Sequence, residues 1–467
     1  MQIPIINGIY TDQSPDFRTS YPVNLIPVPK QNGISNGYLR PADGIVEFAA
    51  GTASDRGGIN WDGEYYRVMG SRLVRIDSGG TINDLGDVGT NGKQVTFTYS
   101  FDYLAIASNK NLFYYDKVNG IQQVTDPDLG TVLDVEWVDG YFMTTDGEFL
   151  VVTDLNDPFA VNPLKYGGSE AAPDPIVALV KLRNEIYALN RYTIEVFDNV
   201  GTSGFPFARI ESAQIERGVI GTHSCCVFME SIAFLGSGQN EAPAIWLANN
   251  SSSVKISSRE IDQILLELTE TQLQSVILET KIDKGHNLLY IHLPDKTMVY
   301  DAAGSKEMGM PVWFTLSSGL TTSQYRAKNF VWVYNKWHCA DPTSFKLGYL
   351  VDNISTHYGD MTGWEFGTMM LYNESNGAII HELEIVTLTG SVSLDKNPTI
   401  STQYSKDGLT WSQEKYIKVG TIGERLKRLV WLQQGNMQSV RVQRFKGTSD
   451  AHISIARLDA RIEPLNF

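Results

Sequence analysis

Alternating apolar and polar residues, in short runs bounded by Gly, Asn, Asp or Pro, follow one another along most of this chain. Residues 276–302 show the unit most clearly, because the apolar run at 288–293 lies between turn residues at 283–286 and at 294–295. Alternation at a period of two between such turns predicts half-buried β-strands. The pattern therefore predicts an all-β protein built from short strands and tight turns.

This unit recurs seven times along the sequence. The repeats occupy residues 57–77, 95–116, 133–154, 176–198, 224–249, 276–302 and 325–352. Their comparable apolar anchors are Tyr66, Tyr103, Tyr141, Ile186, Ile232, Leu288 and Trp337. Differences between successive anchor numbers run from 37 to 56 residues, and propeller blades repeat at about 40 to 50 residues. We therefore predict a β-propeller of six or seven blades, with the N-terminal residues available to complete the last one; a large β-sandwich is the competing interpretation.

The N-terminal residues have a different pattern. Prolines stand at positions 4, 15, 22, 27, 29 and 41. Because proline lacks a backbone donor and restricts the residue before it, extended and irregular chain is expected over residues 1–50. Apolar Leu25, Ile26 and Val28 among the prolines indicate an arm that lies on a surface of the protein.

Residues 257–277 predict a short helical insertion. Ser257 with Glu260, and Thr269 with Gln272, have the spacing of a capping box. The apolar side chains between these pairs repeat at helical spacing. Two short helices are therefore expected before the sixth repeat, with their apolar side facing the core or, as the alternative, a neighbouring subunit.

From residue 356 onward, short strands separated by turns predict a β-sandwich-like region. The predicted organisation is an N-terminal extended arm at 1–50, a β-propeller at 51–355 and a C-terminal β-sandwich-like domain at 356–467. Basic residues of the last domain are expected on solvated strand faces, and they are its candidates for any contact with phosphate. These residues are Arg425, Lys427, Arg428, Arg441, Arg444 and Lys446.

Composition indicates a globular protein without a membrane span. The chain is 42% hydrophobic and 19% charged, with 41 glycines and 22 tyrosines, and it contains no run of about 18 apolar residues. The N-terminus lacks the features of a secretory signal. Three cysteines, two of them adjacent, predict no disulfide framework and favour synthesis in a reducing cytoplasm. A net charge of −15 excludes tight nucleic-acid binding through a chain-wide basic surface.

No catalytic or metal-binding constellation is recognisable. The phosphate-loop, zinc-protease and nucleophile-elbow motifs are absent from the sequence. Cys225, Cys226 and Cys339 lie beside histidines without zinc-ligand spacing, so we expect them to be small buried apolar residues. Residues 405–411 are similar to the Asp-box turn of sialidase propellers, but a hairpin turn with Trp411 packed beneath it is the favoured interpretation. We predict no enzyme, no catalytic, cofactor-binding or metal-binding residues and no cofactor.

Short motifs, in order, resemble one family: the packaged-DNA stabilisation proteins, or tail nozzles (tail hubs), of short-tailed bacteriophages (podoviruses). The segments that carry the resemblance are residues 16–18, 22–25, 37–41, 44–45, 194–197, 217–222, 261–265, 288–294, 299–302 and 325–327. They span about residues 10–350. The region beyond about 360 is similar to the family only in its β character.

The resemblance implies a structural virion protein of the phage tail. Such proteins form a homo-hexameric nozzle below the portal and the adaptor, extend the DNA channel, and retain packaged DNA until ejection. The implied partners are the adaptor above, a tail needle or plug below, tail fibres or spikes, and double-stranded DNA that passes without sequence-specific binding. A receptor- or carbohydrate-binding tail protein is the alternative, and a glycosidase propeller a weaker one.

Overall fold

The structure, a computed structural model, describes residues 1–5, 9–11, 18–30, 34–155, 157–373, 376–392 and 394–465. Antiparallel strands dominate it, as the alternating pattern predicts. Seven small sheets follow one another along the chain from residue 55 to residue 351. They are arranged around a common axis, and a second body, made of a seven-stranded and a five-stranded sheet, is attached to them.

The seven sheets form the blades of a propeller. Their strands are Asp55–Trp61, Glu64–Met69, Arg72–Ile76 and Ile82–Asp87 in the first; Thr96–Tyr99, Leu104–Ser108, Asn111–Asp116 and Gly120–Gln123 in the second; Asp134–Val138, Tyr141–Thr145, Phe149–Asp154 and Asp157–Gly168 in the third; Ile176–Leu182, Glu185–Asn190, Ile194–Asn199 and Phe207–Arg209 in the fourth; Gly218–Val219, Cys225–Phe228, Ser231–Ser237, Ala244–Asn249 and Ser252–Lys255 in the fifth; Ile277–Asp283, His286–His292, Thr297–Asp301 and Val312–Leu316 in the sixth; and Lys328–Val333, Lys336–Ala340, Lys346–Val351 and Gly44–Ala50 in the seventh.

Hydrophobic clusters lie between each pair of neighbouring blades and close the ring. Val68 of the first blade packs in one cluster with Ile106 of the second, and further clusters follow between the later pairs. The last cluster joins Val331 of the seventh blade to Tyr65 of the first. A single four-stranded sheet cannot bury both of its apolar faces, so each blade depends on its two neighbours.

The ring has seven blades, and the N-terminal region supplies one of the outermost strands. Gly44–Ala50 pairs antiparallel with Lys346–Val351, with Ile45 opposite Leu350. The propeller prediction is confirmed, and the competing single large sandwich is wrong. The predicted boundary at residue 50 needs correction here, because residues 44–50 are a ladder strand of the seventh blade and not part of an arm.

The second body is a β-sandwich built from both ends of the chain. One sheet contains Leu25–Pro29, Gly37–Pro41, Ile455–Pro464, Ala378–Thr387 and Leu429–Leu432, with the short strands Gln2–Ile3 and Asn436–Met437 on its edges. The other contains Gly363–Gly367, Val440–Thr448, Thr399–Ser405 and Lys415–Lys418, with Leu371–Tyr372 beside them. A two-stranded ribbon, Ile9–Thr11 with Arg18–Ser20, is separate from both.

The predicted arm therefore lies on the sandwich. Ile3, Leu25 and Leu39 are buried in the same cluster as Phe445 and Leu458 of the C-terminal region. The division into an arm at 1–50 and a sandwich at 356–467 needs the corresponding correction, since these N-terminal residues complete the sandwich core. Local sequence could not show this pairing, because the partners are more than 400 residues apart.

Three α-helices and one short 3₁₀ helix, Glu211–Ala213, are described. The α-helices are α1 (Arg259–Leu266), α2 (Glu270–Gln274) and α3 (Ala302–Met308). The predicted capping box at Thr269 and Gln272 is present, but the N-cap of α1 is Ser258 and not Ser257. Ile261 and Leu265 are buried between the fifth and sixth blades, so the apolar side of α1 faces the core. Within the described residues, no helix is long and apolar enough to span a bilayer.

Ile45 tests the closure of the ring. Its side chain is fully buried between the sixth and seventh blades. Ile45→Ala should lower the free energy of unfolding by about 2–5 kcal/mol, because it leaves a cavity where the closing strand packs. Urea denaturation measures the change. The control Ile422→Ala, at a side chain that is 57% exposed, should change it by less than about 0.5 kcal/mol; equal effects of the two substitutions would contradict the assignment of the closing strand.

Candidate functional sites at the domain joint and the propeller axis

Residues 22–24, which we call the joint segment, are hydrogen-bonded to both bodies at once. On one side, Thr315 N donates to Pro22 O and Asn24 N donates to Thr315 O, both at 2.8 Å. On the other side, Val23 and Glu365 exchange backbone hydrogen bonds of 2.8 and 3.1 Å. The joint segment thus joins the outermost strand of the sixth blade to strand Gly363–Gly367 of the sandwich.

The side chain of Asn24 completes this connection. Its Nδ2 donates to Ser317 O at 2.9 Å and to Gly363 O at 2.7 Å, and its Oδ1 accepts from Ser317 N at 3.0 Å. The residue is 6% exposed and has a φ of 53°. Asparagine tolerates this left-handed conformation better than most residues. Asn24 therefore satisfies buried backbone groups of both bodies from one position.

A buried ion pair anchors the chain just after the sandwich strands. Lys281, on the innermost strand of the sixth blade, is 1% exposed and donates to Asp43 at 2.6 Å. Arg40 lies 3.1 Å from the same carboxyl group. Burial alone would raise the pKa of Asp43, but Lys281 and Arg40 lower it, so the carboxylate stays charged. Removing one partner would leave an uncompensated buried charge, which is strongly destabilising.

Two connected cavities lie along the propeller axis. The inner one has a volume of about 240 Å³ and is lined by residues of the innermost strands, including Phe97, Glu279 and Phe330. The outer one, of about 840 Å³, opens where these strands begin. Gln94, His223 and Asn329 belong to the lining of both. The inner cavity is smaller than the roughly 300–1,000 Å³ of a small-ligand pocket, so a DNA duplex cannot pass along this axis.

Several ionisable groups around the inner cavity have shifted pKa values. Burial raises the pKa of Asp134 to about 6, and burial together with the charge of Asp134 raises the pKa of Glu136 to about 8. Burial lowers the pKa of His223 to about 4. Glu279, whose pKa is raised by burial, accepts backbone N–H bonds of 2.7 Å from Asn329 and Phe330. These groups have structural partners, and shifted pKa values alone do not establish catalysis.

The three cysteines and the turn at residues 405–411, which the sequence analysis interpreted as structural, all have contacts within the fold. Cys339 is buried, and Cys225 and Cys226 pack against clusters between blades. In the turn after Ser405, Asp407 accepts from the backbone N–H of Leu409 and Thr410, which with the Thr410 hydroxyl lowers its pKa. Among the described residues, no group of three or more His, Cys, Asp or Glu side chains could hold a metal ion.

The basic residues proposed to meet phosphate in the sandwich are mostly paired within the chain. Arg441 is fully buried and lies over the ring of Tyr404. Arg428 pairs with Glu382 and Glu384. Arg444 and Lys446 share Glu365, Lys427 lies near Glu424, and Arg425 is exposed. Sequence reasoning missed the joint segment and a set of cations at the outer axial cavity, because both depend on long-range contacts.

Several of the segments that carry the family resemblance lie where the chain is closely packed. A Cβ atom on Gly218 would lie 2.1 Å from Asn190 O, and one on Gly221 would lie 2.4 Å from Gln274 O. Glycine is therefore required in this stretch so that neighbouring chain segments can approach. Tyr325, in another segment, is buried between the sixth and seventh blades. Asp16 and Phe17, also among the motif residues, lie outside the described residues.

Comparison with known proteins gives matches over nearly the whole chain. The family described as "Bacteriophage P22 Gp10, beta-propeller" matches residues 1–355, and "Bacteriophage P22 Gp10, beta-sandwich" matches residues 363–463. The tail hub protein gp10 of Salmonella phage P22 is 26% identical over 487 aligned positions, covering 99% of each chain.

Solved structures give weaker similarities. The Pan2 WD40 domain of Neurospora crassa is 8% identical, with a TM-score of 0.42, covering 66% of this chain and 95% of that one. The N-terminal domain of Nup159 is also 8% identical, with a TM-score of 0.40, covering 73% of this chain and 97% of that one.

Asn24 tests the joint. Asn24→Ala removes three hydrogen bonds and leaves buried carbonyl groups of both bodies unsatisfied, so it should lower the free energy of unfolding by roughly 2–4 kcal/mol. We expect calorimetry to show two separate thermal transitions where the unaltered chain shows one. The control Asn250→Ala changes an exposed turn residue with a φ of 51°. If Asn24→Ala behaves like this control, the joint does not couple the two bodies.

Glu136 gives a pH-dependent prediction. Its folded-state pKa of about 8 is above the ordinary 4.5, so the folded state binds the proton more tightly and the chain loses stability as pH rises between these values. Glu136→Gln should therefore increase the free energy of unfolding above pH 8 and have little effect below pH 4.5. The gain should be on the order of 2–4 kcal/mol. A stability difference that is independent of pH, or equal to that of the exposed control Glu148→Gln, would contradict the raised pKa.

Proposed function

Because the chain belongs to the Bacteriophage P22 Gp10 family, we propose that it is a structural tail hub protein of a phage virion. The observation that carries the proposal is the match to the tail hub protein gp10 of Salmonella phage P22, which extends over both the propeller and the sandwich. The two-body architecture agrees with the two parts of that family. The protein belongs in the virion tail and acts by assembly.

Its working form is a homo-hexameric ring, a nozzle below the portal and the adaptor. Two structural features support this part of the proposal. The inner axial cavity of about 240 Å³ is too small for DNA, so a DNA channel has to lie between subunits. The joint segment and the closed blades make the subunit a stiff wedge, and head-to-tail contacts between such units close into rings.

Loops at one end of the sandwich are candidates for a contact between subunits. Leu388 is 84% exposed and Leu426 is 96% exposed. Their two loops are hydrogen-bonded to each other, since Thr389 Oγ1 donates to Glu424 O at 2.7 Å and Gly423 N donates to Gly390 O at 3.1 Å. Exposed apolar side chains on an ordered platform are typical of association surfaces.

The ring extends the DNA channel and retains packaged DNA until ejection. A net charge of −15 on each subunit repels phosphate, which allows a duplex to pass without sequence-specific binding. The adaptor lies above the ring, and a tail needle or plug closes it below; tail fibres or spikes are further partners. The proposed role requires no chemical step, and family membership favours a protein without catalytic activity.

Particle mass and imaging test this proposal. The purified 52.0 kDa chain, alone or mixed with its adaptor, should form particles with six subunits by light scattering, and virion tails should show a six-fold ring at this position by electron microscopy. Absence of a six-fold ring under both conditions would contradict the nozzle. Adsorption of the purified protein to host cells with inhibition of infection would favour the receptor-binding alternative, and glycan hydrolysis lost on substitution of an axial carboxylate would favour a glycosidase.

A further inference from the structure

The outer axial cavity has a charge opposite to that of the chain as a whole. It has a volume of about 840 Å³, and its lining contains the cations Arg56, Lys93, Lys110, Arg191 and Lys328. Asp55 is the one carboxylate residue in the described lining, and it is already bound to Arg67 at 2.8 Å and to Asn329 at 2.6 Å. Positive charge is therefore concentrated here in a protein with a net charge of −15.

Arg56 is buried without a compensating carboxylate. Its side chain is 2% exposed, and its hydrogen bonds go to neutral oxygen atoms. These acceptors are the carbonyl oxygens of Lys93, Gly70 and Gly89, Asn91 Oδ1 and Ser108 Oγ. Burial lowers the pKa of this guanidinium. Buried arginines are normally paired with acids. Arg56 instead uses its five N–H donors on neutral oxygens, so it adds positive potential to the cavity without offering a free donor.

Arg191 is the cation of this lining whose unused donor is visible among the described residues. Arg191 Nη2 donates to Glu270 at 3.1 Å, whereas its Nη1 is buried and has no hydrogen-bond partner. Lys328 belongs to the same lining, and burial lowers its pKa although Glu279 and Asp55 lie close enough to act in the opposite direction. The exposed Lys93 and Lys110 stand at the rim of the same cavity. The described residues thus form a site with several donors and no acidic group free to occupy it.

We propose that this cavity binds a compact phosphate-type polyanion, such as a chain of two or three phosphate groups. A terminal phosphate group carries about −1.5 to −2 charges and three acceptor oxygens, and a chain of such groups matches several convergent Arg and Lys donors better than single carboxylates do. The volume is that of a small-ligand pocket. A duplex does not fit, so the ligand is a free polyphosphate or the phosphate chain of a nucleotide.

Isothermal titration of the full chain at low ionic strength tests the site, with sodium tripolyphosphate, ATP and citrate as separate probes. Tripolyphosphate should bind, with an affinity that decreases as salt is added. The double variant Lys93→Gln/Lys110→Gln should weaken binding at least about tenfold, since it removes charge-assisted contacts. Both lysines are exposed, so the fold should be retained. The control Lys396→Gln/Lys418→Gln removes two exposed lysines of the sandwich and should bind as the unaltered chain does.

The experiment answers two questions: whether the cavity binds phosphate groups, and whether they belong to a free phosphate chain or to a nucleotide. Equal affinities for ATP and tripolyphosphate would support a free phosphate chain, and tighter binding of ATP would support a nucleotide. No binding of either probe, an equal affinity for citrate, or an unchanged affinity in the Lys93→Gln/Lys110→Gln variant would overturn the proposal. None of these results bears on the six-fold ring, which is tested by particle mass and imaging.

Discussion

The backbone of residues 22–24 forms hydrogen bonds with both the propeller and the sandwich. The arrangement of the two bodies depends on these shared hydrogen bonds. One set of partners lies on the outermost strand of the sixth blade and the other on strand Gly363–Gly367 of the sandwich. Asn24 adds three side-chain hydrogen bonds across the same boundary. Buried backbone N–H and C=O groups are costly to leave without a hydrogen-bond partner. Separating the propeller from the sandwich would leave such groups unpaired on both bodies. The chain therefore behaves as one unit and not as two domains on a flexible linker.

The path of the chain strengthens this coupling. It begins in the sandwich, passes through the joint segment and the strands Leu25–Pro29 and Gly37–Pro41, and then contributes Gly44–Ala50 to the seventh blade before the first blade starts. Closure of the propeller thus requires the N-terminal region to be in place. A subunit closed in this way presents fixed surfaces, which the proposed ring requires.

Local alternation was sufficient to predict the propeller, because each blade is formed by strands that are adjacent in sequence. Six of the seven anchors fall on or immediately before the second strand of their blades, and Ile232 falls on the third strand of the five-stranded fifth blade. What could not be predicted depends on distant partners: the pairing of Gly44–Ala50, the sandwich core around Ile3 and Leu39, and the role of Asn24. Helix α3 was also missed, although Asp301 at its N-cap and Gly309 at its C-cap are local signals. At the axis, the sequence shows Arg56 only as one arginine among many, and its buried, acid-free environment is a property of the fold.

Native-state hydrogen exchange at the joint segment tests the account most directly. The amide protons of Asn24, Thr315 and Glu365, which take part in the backbone bonds across the boundary, should exchange only through global unfolding. Their protection should equal that of core amides such as Leu289, whose side chain is fully buried in the sixth blade. Exchange of these three amides at a much lower opening free energy, while Leu289 stays protected, would show that the two bodies separate in the folded protein and would contradict the account.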